Sequence, residues 1–153
     1  MSMTFVELKL TNWIPYFGDQ TLKFNSVHDV MNMSLIRGQN KGGKSAIIRA
    51  IKWVLYGDTG DVSEYQRPLE LLNRDAKNNG DFKYSVCFIL DNEGKRVEIT
   101  RTMSVSGGIS TAKDTDFNEE LTIKVDRNYL FGDEMEGYVK KMLPRDISDF
   151  FLF

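Results

Sequence analysis

The stretch that most constrains this chain is GQNKGGKS, residues Gly38 to Ser45. It fits the pattern glycine, four free positions, glycine, lysine, then serine or threonine. Each fixed position has a physical reason. The glycines let the backbone curl until successive N–H groups point at phosphate oxygens. Those groups meet the positive end of the helix that follows. The flanks agree with such a loop. A short apolar strand centred on Ser34 to Ile36 runs into Gly38. From Lys44 onward Ile47, Ile48, Ile51, Val54 and Leu55 recur at helical spacing, and Gly57 ends the pattern. The main chain of Gly38, Gln39, Asn40, Lys41, Gly42, Gly43 and Ala46 is therefore the candidate phosphate cradle. Lys44 is the candidate catalytic residue, reaching the β and γ phosphates, and the Ser45 hydroxyl is the candidate metal ligand. The cofactors this chemistry calls for are ATP and Mg²⁺. Lys41 stands only three residues before Lys44, so the two-lysine loop of the partitioning ATPases, K-G-G-x-x-G-K-[ST], does not fit. Lys41 reads as an outward-facing loop lysine.

The rest of the chain predicts an α/β fold, a P-loop core with antiparallel hairpins flanking the strand, loop and helix. Thr4 to Leu10 alternate apolar and polar, as a half-buried strand does. NWIPYFGDQ carries Pro15 and Gly18 and reads as a turn, and TLKFN as the returning strand. Beyond the helix, DTGDVSEYQRPLELLNRDAKNNGD reads as a surface excursion with a short helix around Leu69 to Leu72. FKYSVCFIL and RVEITRTM form a second hairpin joined by DNEGK. SVSGGISTAKDTDFNEE reads as a loop, LTIKVD as a further strand, and DEMEGYVKKML as a helix stopped before Pro144.

Other chemistry is sparse. An ATPase of this kind needs an acidic residue behind an apolar strand. Asp91 follows such a run, but its neighbours DNEGK are turn formers, so Asp91 is assigned to the hairpin. His28 has no second histidine or cysteine near it and reads as an inert surface residue. Arg49 and Lys52 read as the solvated face of the phosphate helix, and the one cysteine, Cys87, as a buried core thiol. A single cysteine forms no disulfide within the chain, which fits a reducing, cytoplasmic compartment. A formal charge of −2 over 153 residues supplies no bulk pull toward nucleic acid or membrane. No signal peptide and no apolar run of membrane-spanning length is visible. Two rival functions remain. One is a nucleotide-dependent regulatory binding module that never hydrolyses ATP. The other is a small P-loop kinase, which would need an arginine-rich lid, whereas Arg67, Arg74, Arg101 and Arg127 are scattered.

Four segments together resemble the N-terminal half of an SMC-like ABC ATPase head, the class that includes chromosome-structure SMC proteins and double-strand-break repair ATPases. Within that class the chain is similar to the DndD-type ATPases of DNA phosphorothioation and phage defence. LKLTNWIPYFGDQTLKF resembles the opening hairpin of the group, and IRGQNKGGKSAIIRAIKWVLYG its phosphate loop and helix. LELLNRDA resembles a segment that follows, and LPRDISDFFLF the approach to the Q-loop region. Lys41 departs from the glycine usual at that point. The resemblance implies that residues 1–153 are the N-terminal lobe of a head, with the coiled coil and C-terminal lobe elsewhere in a longer chain. An ending on Phe150, Phe151, Leu152 and Phe153 fits a lobe that needs a cover. It further implies hydrolysis by two engaged heads of a homodimer, each completed by its C-terminal lobe, with DNA handled by the assembly and no membrane involved. The opening hairpin is implied to help hold the adenine side.

Overall fold

The computed structural model describes residues 3–24, 41–61, 63–107 and 111–143, with residues 41–44 described as backbone alone. The predicted strand at Ser34 to Ile36, the loop residues Gly38 to Asn40, His28 and all of the LPRDISDFFLF segment after Leu143 lie outside the described residues.

The fold is mixed α/β. Among the described residues six antiparallel strands form one sheet in the order β2-β1-β3-β4-β5-β6. β1 is Met3–Trp13 and β2 Tyr16–Lys23; β3 is Lys83–Asn92 and β4 Lys95–Val105; β5 is Phe117–Val125 and β6 Asn128–Tyr129. The helices are α1 Lys41–Tyr56, α2 Pro68–Leu71, α3 Arg74–Asn78 and α4 Asp133–Met142. Strand alternation decides which face meets the helix. Leu8 and Leu10 of β1, Val86, Phe88 and Leu90 of β3, Val97 and Ile99 of β4 and Ile123 of β5 are buried together. Against them α1 lays Ala46, Ala50 and Val54, four residues apart and each fully buried, flanked by Ile47, Ile51 and Trp53. Small residues along this line let the helix axis come close to the sheet.

Both predicted hairpins form, with tighter turns than the sequence suggested. β1 runs to Trp13 and β2 starts at Tyr16, so only Ile14 and Pro15 turn. The residues NWIPYFGDQ are thus mostly strand. The reason is a register shift between Thr11 and Trp13, with Asn12 at φ 50 and Ile14 at φ 46. A local bulge reverses the chain without a long loop. The β3–β4 turn has Glu93 and Gly94 both at positive φ, the geometry of a two-residue hairpin turn. Asp91 Oδ1 accepts from the Gly94 N–H at 2.9 Å, so its carboxylate serves this turn.

Three further expectations change. Cys87 is half-buried on the sheet face opposite the core, in a row with Lys9 and Thr100, because it falls in the polar phase of β3. The stretch after α1 is not a surface excursion throughout: Thr59, Leu71, Leu72, Asn73 and Ala76 are buried. The expected loop from Ser104 to Glu119 is shorter, since β4 extends to Val105 and β5 begins at Phe117.

Candidate functional site

Helix α1 begins at Lys41, three residues earlier than its apolar spacing predicted. Its first turn carries no acidic residue, so α1 supplies no negative charge of its own to the positive end of its dipole. The backbone of Lys41, Gly42, Gly43 and Lys44 forms that turn. Ser45 comes next and is half-buried, and Ala46 behind it is fully buried.

Ser45 lines a cavity of about 200 Å³ together with Ile48, Arg49, Lys52, Thr59, Gly60 and Asp61. Ser45, Ile48, Arg49 and Lys52 recur at helical spacing along one side of α1. The opposite wall is the segment after the helix. Gly57 ends α1 at φ 85, where a side chain is strained, and its N–H still reaches the Trp53 carbonyl at 2.7 Å. The chain then doubles back along the helix. Arg49 Nε donates to Asp61 Oδ2 at 2.6 Å, and the Arg49 guanidinium lies 4.2 Å from the centre of the Tyr65 ring. The buried Thr59 hydroxyl donates to the Tyr65 carbonyl at 2.9 Å, and the Tyr65 N–H donates to Glu70 Oε2 at 2.7 Å. Arg49 is therefore not a solvated helix residue; its side chain is about one fifth exposed and engaged on two sides. The Lys52 stem packs near Gly60.

Two contacts fix α1 on the sheet, and neither was foreseen. Trp13 Nε1 donates to the Ala46 carbonyl at 2.9 Å, and the Trp13 ring packs 5.0 Å from Trp53, which stacks 5.3 Å from Tyr84. At the other end Arg101, nearly buried, pairs with Glu119, donates to the Val54 carbonyl at 3.4 Å and approaches Gly57. A cation at the carboxyl end of a helix complements its dipole. The sequence did hold a signal for Arg101: it occupies the apolar phase of β4, after Val97 and Ile99 and before Met103.

Two segments far apart in sequence prove to be one structural unit. Asn12 Nδ2 donates to Asp81 Oδ2 and to the Lys83 carbonyl, both at 3.0 Å, while its Oδ1 accepts from the Gly18 N–H at 2.9 Å. Asn73 answers from the other side. Its N–H reaches the Asn12 carbonyl and its Nδ2 the Ile14 carbonyl, each at 2.8 Å. Its Oδ1 caps α3 by accepting from Asp75 and Ala76. The motif residues of NWIPYFG and LELLNRDA thus clasp one another, and through Trp13 they brace the first turns of α1.

Among the described residues no group of three or more His, Cys, Asp or Glu could hold a metal ion. A single hydroxyl, Ser45, suits Mg²⁺ only when phosphate oxygens and water supply the remaining ligands, the usual arrangement for this ion. This donor set is compatible with Mg²⁺ brought by a nucleotide. No helix among the described residues is long and apolar enough to cross a membrane.

No curated protein matches this chain. The family profile of an AAA domain matches residues 7–153, which takes in α1, the second hairpin, most of the first and the clasp between NWIPYFG and LELLNRDA. By that match the chain belongs to the AAA domain family, to which a nucleotide-binding, ATPase-type function attaches.

Proposed function

We propose that this chain binds ATP·Mg²⁺ through residues Gly38 to Ser45 and serves as the nucleotide-binding lobe of an SMC-like ATPase in DNA metabolism, in repair or anti-phage defence. One observation carries the reading. The last residue of the phosphate-loop pattern, Ser45, stands just after the acid-free first turn of α1 and lines a polar cavity. At about 200 Å³ the cavity falls below the roughly 300–1,000 Å³ of a whole small-molecule pocket. It suits the phosphate end of a nucleotide with its hydrated ion. The AAA-domain match and the bracing of α1 by Trp13 support the same reading.

In this reading the backbone N–H groups from Gly38 to Lys44 and the dipole of α1 hold the phosphate oxygens. Lys44 places its ammonium against the β and γ phosphates, and Ser45 holds the ion. Mg²⁺, when bound, neutralises phosphate charge as it develops during transfer. Asp91 is engaged in a hairpin turn and Asp61 is paired with Arg49, and in this reading the acid that orients the attacking water is supplied by the completing lobe. Hydrolysis then requires a completing C-terminal lobe and a second copy of the head.

The test is nucleotide titration of the full chain and of K44A. Lys44→Ala is expected to abolish ATP·Mg²⁺ binding with the melting temperature unchanged. Equal affinity in the variant overturns the assignment. Turnover by the chain alone would disprove the need for completion, whereas silence alone and turnover on adding the C-terminal lobe supports it.

A further inference from the structure

Beside Ser45 lies an ion pair that the phosphate-binding pattern does not include. Arg49 and Asp61 meet at 2.6 Å, with their side chains 19% and 32% exposed. Both line the cavity that Ser45 lines, and Asp61 is the one carboxylate among its lining residues. The pair is held rather than incidental. The Tyr65 ring lies 4.2 Å from the guanidinium. Gln66 Nε2 donates to the Asp61 carbonyl at 2.9 Å, and Thr59 Oγ1, which donates to the Tyr65 carbonyl at 2.9 Å, accepts from the Asp61 N–H at 3.4 Å. So many contacts cost ordering entropy, and a plain surface ion pair contributes too little to account for them.

We propose that the Arg49–Asp61 pair sets the charge balance at the phosphate end of the site, with Asp61 a positioning residue that acts by neutralising Arg49. This rests on the nucleotide-binding reading above. A cavity of this volume is only about 7 Å across, within the reach over which unit charges interact appreciably through partly solvated protein. Paired, the two groups nearly cancel, the charge of Lys52 in the same lining is common to every variant, and the anion is held by the loop, Lys44 and the metal ion. Without Asp61 the guanidinium faces the phosphates uncompensated. Without Arg49 the carboxylate repels them and attracts the cation. Metal-free nucleotide, which carries the greater negative charge, reads these changes most directly. The dependence of binding on Mg²⁺ moves the opposite way.

The experiment is titration of the full chain with a fluorescent ATP analogue, in EDTA and across a Mg²⁺ series, for wild type, D61N, R49Q and the double variant. D61N is expected to tighten metal-free binding about threefold to tenfold and R49Q to weaken it by a similar factor, as expected for one unit charge at such a range. In the double variant the two shifts cancel. Raising the salt shrinks both, because the field is screened. D61N is also expected to need more Mg²⁺ for half-maximal binding, and R49Q less. If both single variants weaken binding, the pair is only a structural brace and the proposal is overturned. If neither changes it, the charges do not reach the phosphates and the proposal is equally overturned. If wild type binds no nucleotide at all, the reading of the site fails first and this inference with it.

Discussion

Asn12 offers the sharpest test of how the fold supports α1. Its side chain is 3% exposed and makes three hydrogen bonds, to Asp81, Lys83 and Gly18, from a backbone at φ 50. Replacement by alanine removes all three. At about 1 kcal/mol net each, in a place with little access for water, they amount to roughly 3 kcal/mol. Alanine at positive φ adds about 1 kcal/mol more, so N12A is expected to lose about 4 kcal/mol. N12G forfeits the same bonds but relieves the backbone, and should lie about 1 kcal/mol above N12A. N12D keeps the acceptor for Gly18, loses both donors and sets a carboxylate against that of Asp81. The introduced group takes up a proton more readily folded than unfolded, because desolvation and a like charge oppose its ionisation. A raised folded pKa means that the stability it offers is present at low pH and lost as pH rises. N12D should therefore recover part of its loss as pH is lowered from 7 toward about 4, the ordinary carboxylate range, relative to wild type at each pH. Urea midpoints at constant slope measure all three variants. A loss below about 1 kcal/mol in N12A, or no relative recovery of N12D in acid, would refute the clasp as a stabilising unit.

Other expectations concern the far end of α1 and the alkaline range. Gly57→Ala places a methyl at φ 85, with its carbon 3.3 Å from Arg101 Nη1; a loss of about 1–2 kcal/mol is expected from the left-handed backbone alone, read as a shift in urea midpoint, and an unchanged midpoint would show that α1 ends differently in solution. Burial pushes the Tyr84 hydroxyl far above its ordinary value, with the charges of Glu119 and Asp114 adding to it, and burial likewise raises the Cys87 thiol. Raised folded values place the stability contribution of both groups below their ordinary pKa, so stability should decline as pH climbs above about 8.5–10, where the unfolded groups ionise first. Tyr84→Phe should flatten the upper part of that decline, and a slope that remains unchanged would assign the decline to other groups.

How much of this was legible in advance follows from the range of each interaction. Hairpins are local. Alternation and the turn residues of DNEGK announced β3 and β4, and they assigned Asp91 to the turn between them. The apolar spacing announced α1, and Gly57 its end. The clasp was legible only as two motifs. Nothing in either segment shows that Asn12 and Asn73, sixty-one residues apart, share hydrogen bonds. Arg49 looked like solvent-facing charge because its partners, Asp61 and Tyr65, come from a segment whose path depends on where the helix stops. Cys87 looked like core because a continuous apolar run does not say which of its residues face the helix.

The sequence by itself carried the proposal of phosphate binding, because a glycine-rich turn, a lysine and a hydroxyl at fixed spacing are a pattern of neighbouring residues. It also determined the α/β character, since the strand and helix periods are written residue by residue. Only the tertiary structure decided what surrounds that chemistry: which tryptophan braces the helix, which arginine closes its carboxyl end, and which carboxylate faces the cavity beside Ser45. Those contacts join segments distant along the chain. Their existence depends on sheet order and register, which chain packing as a whole selects and no single stretch encodes.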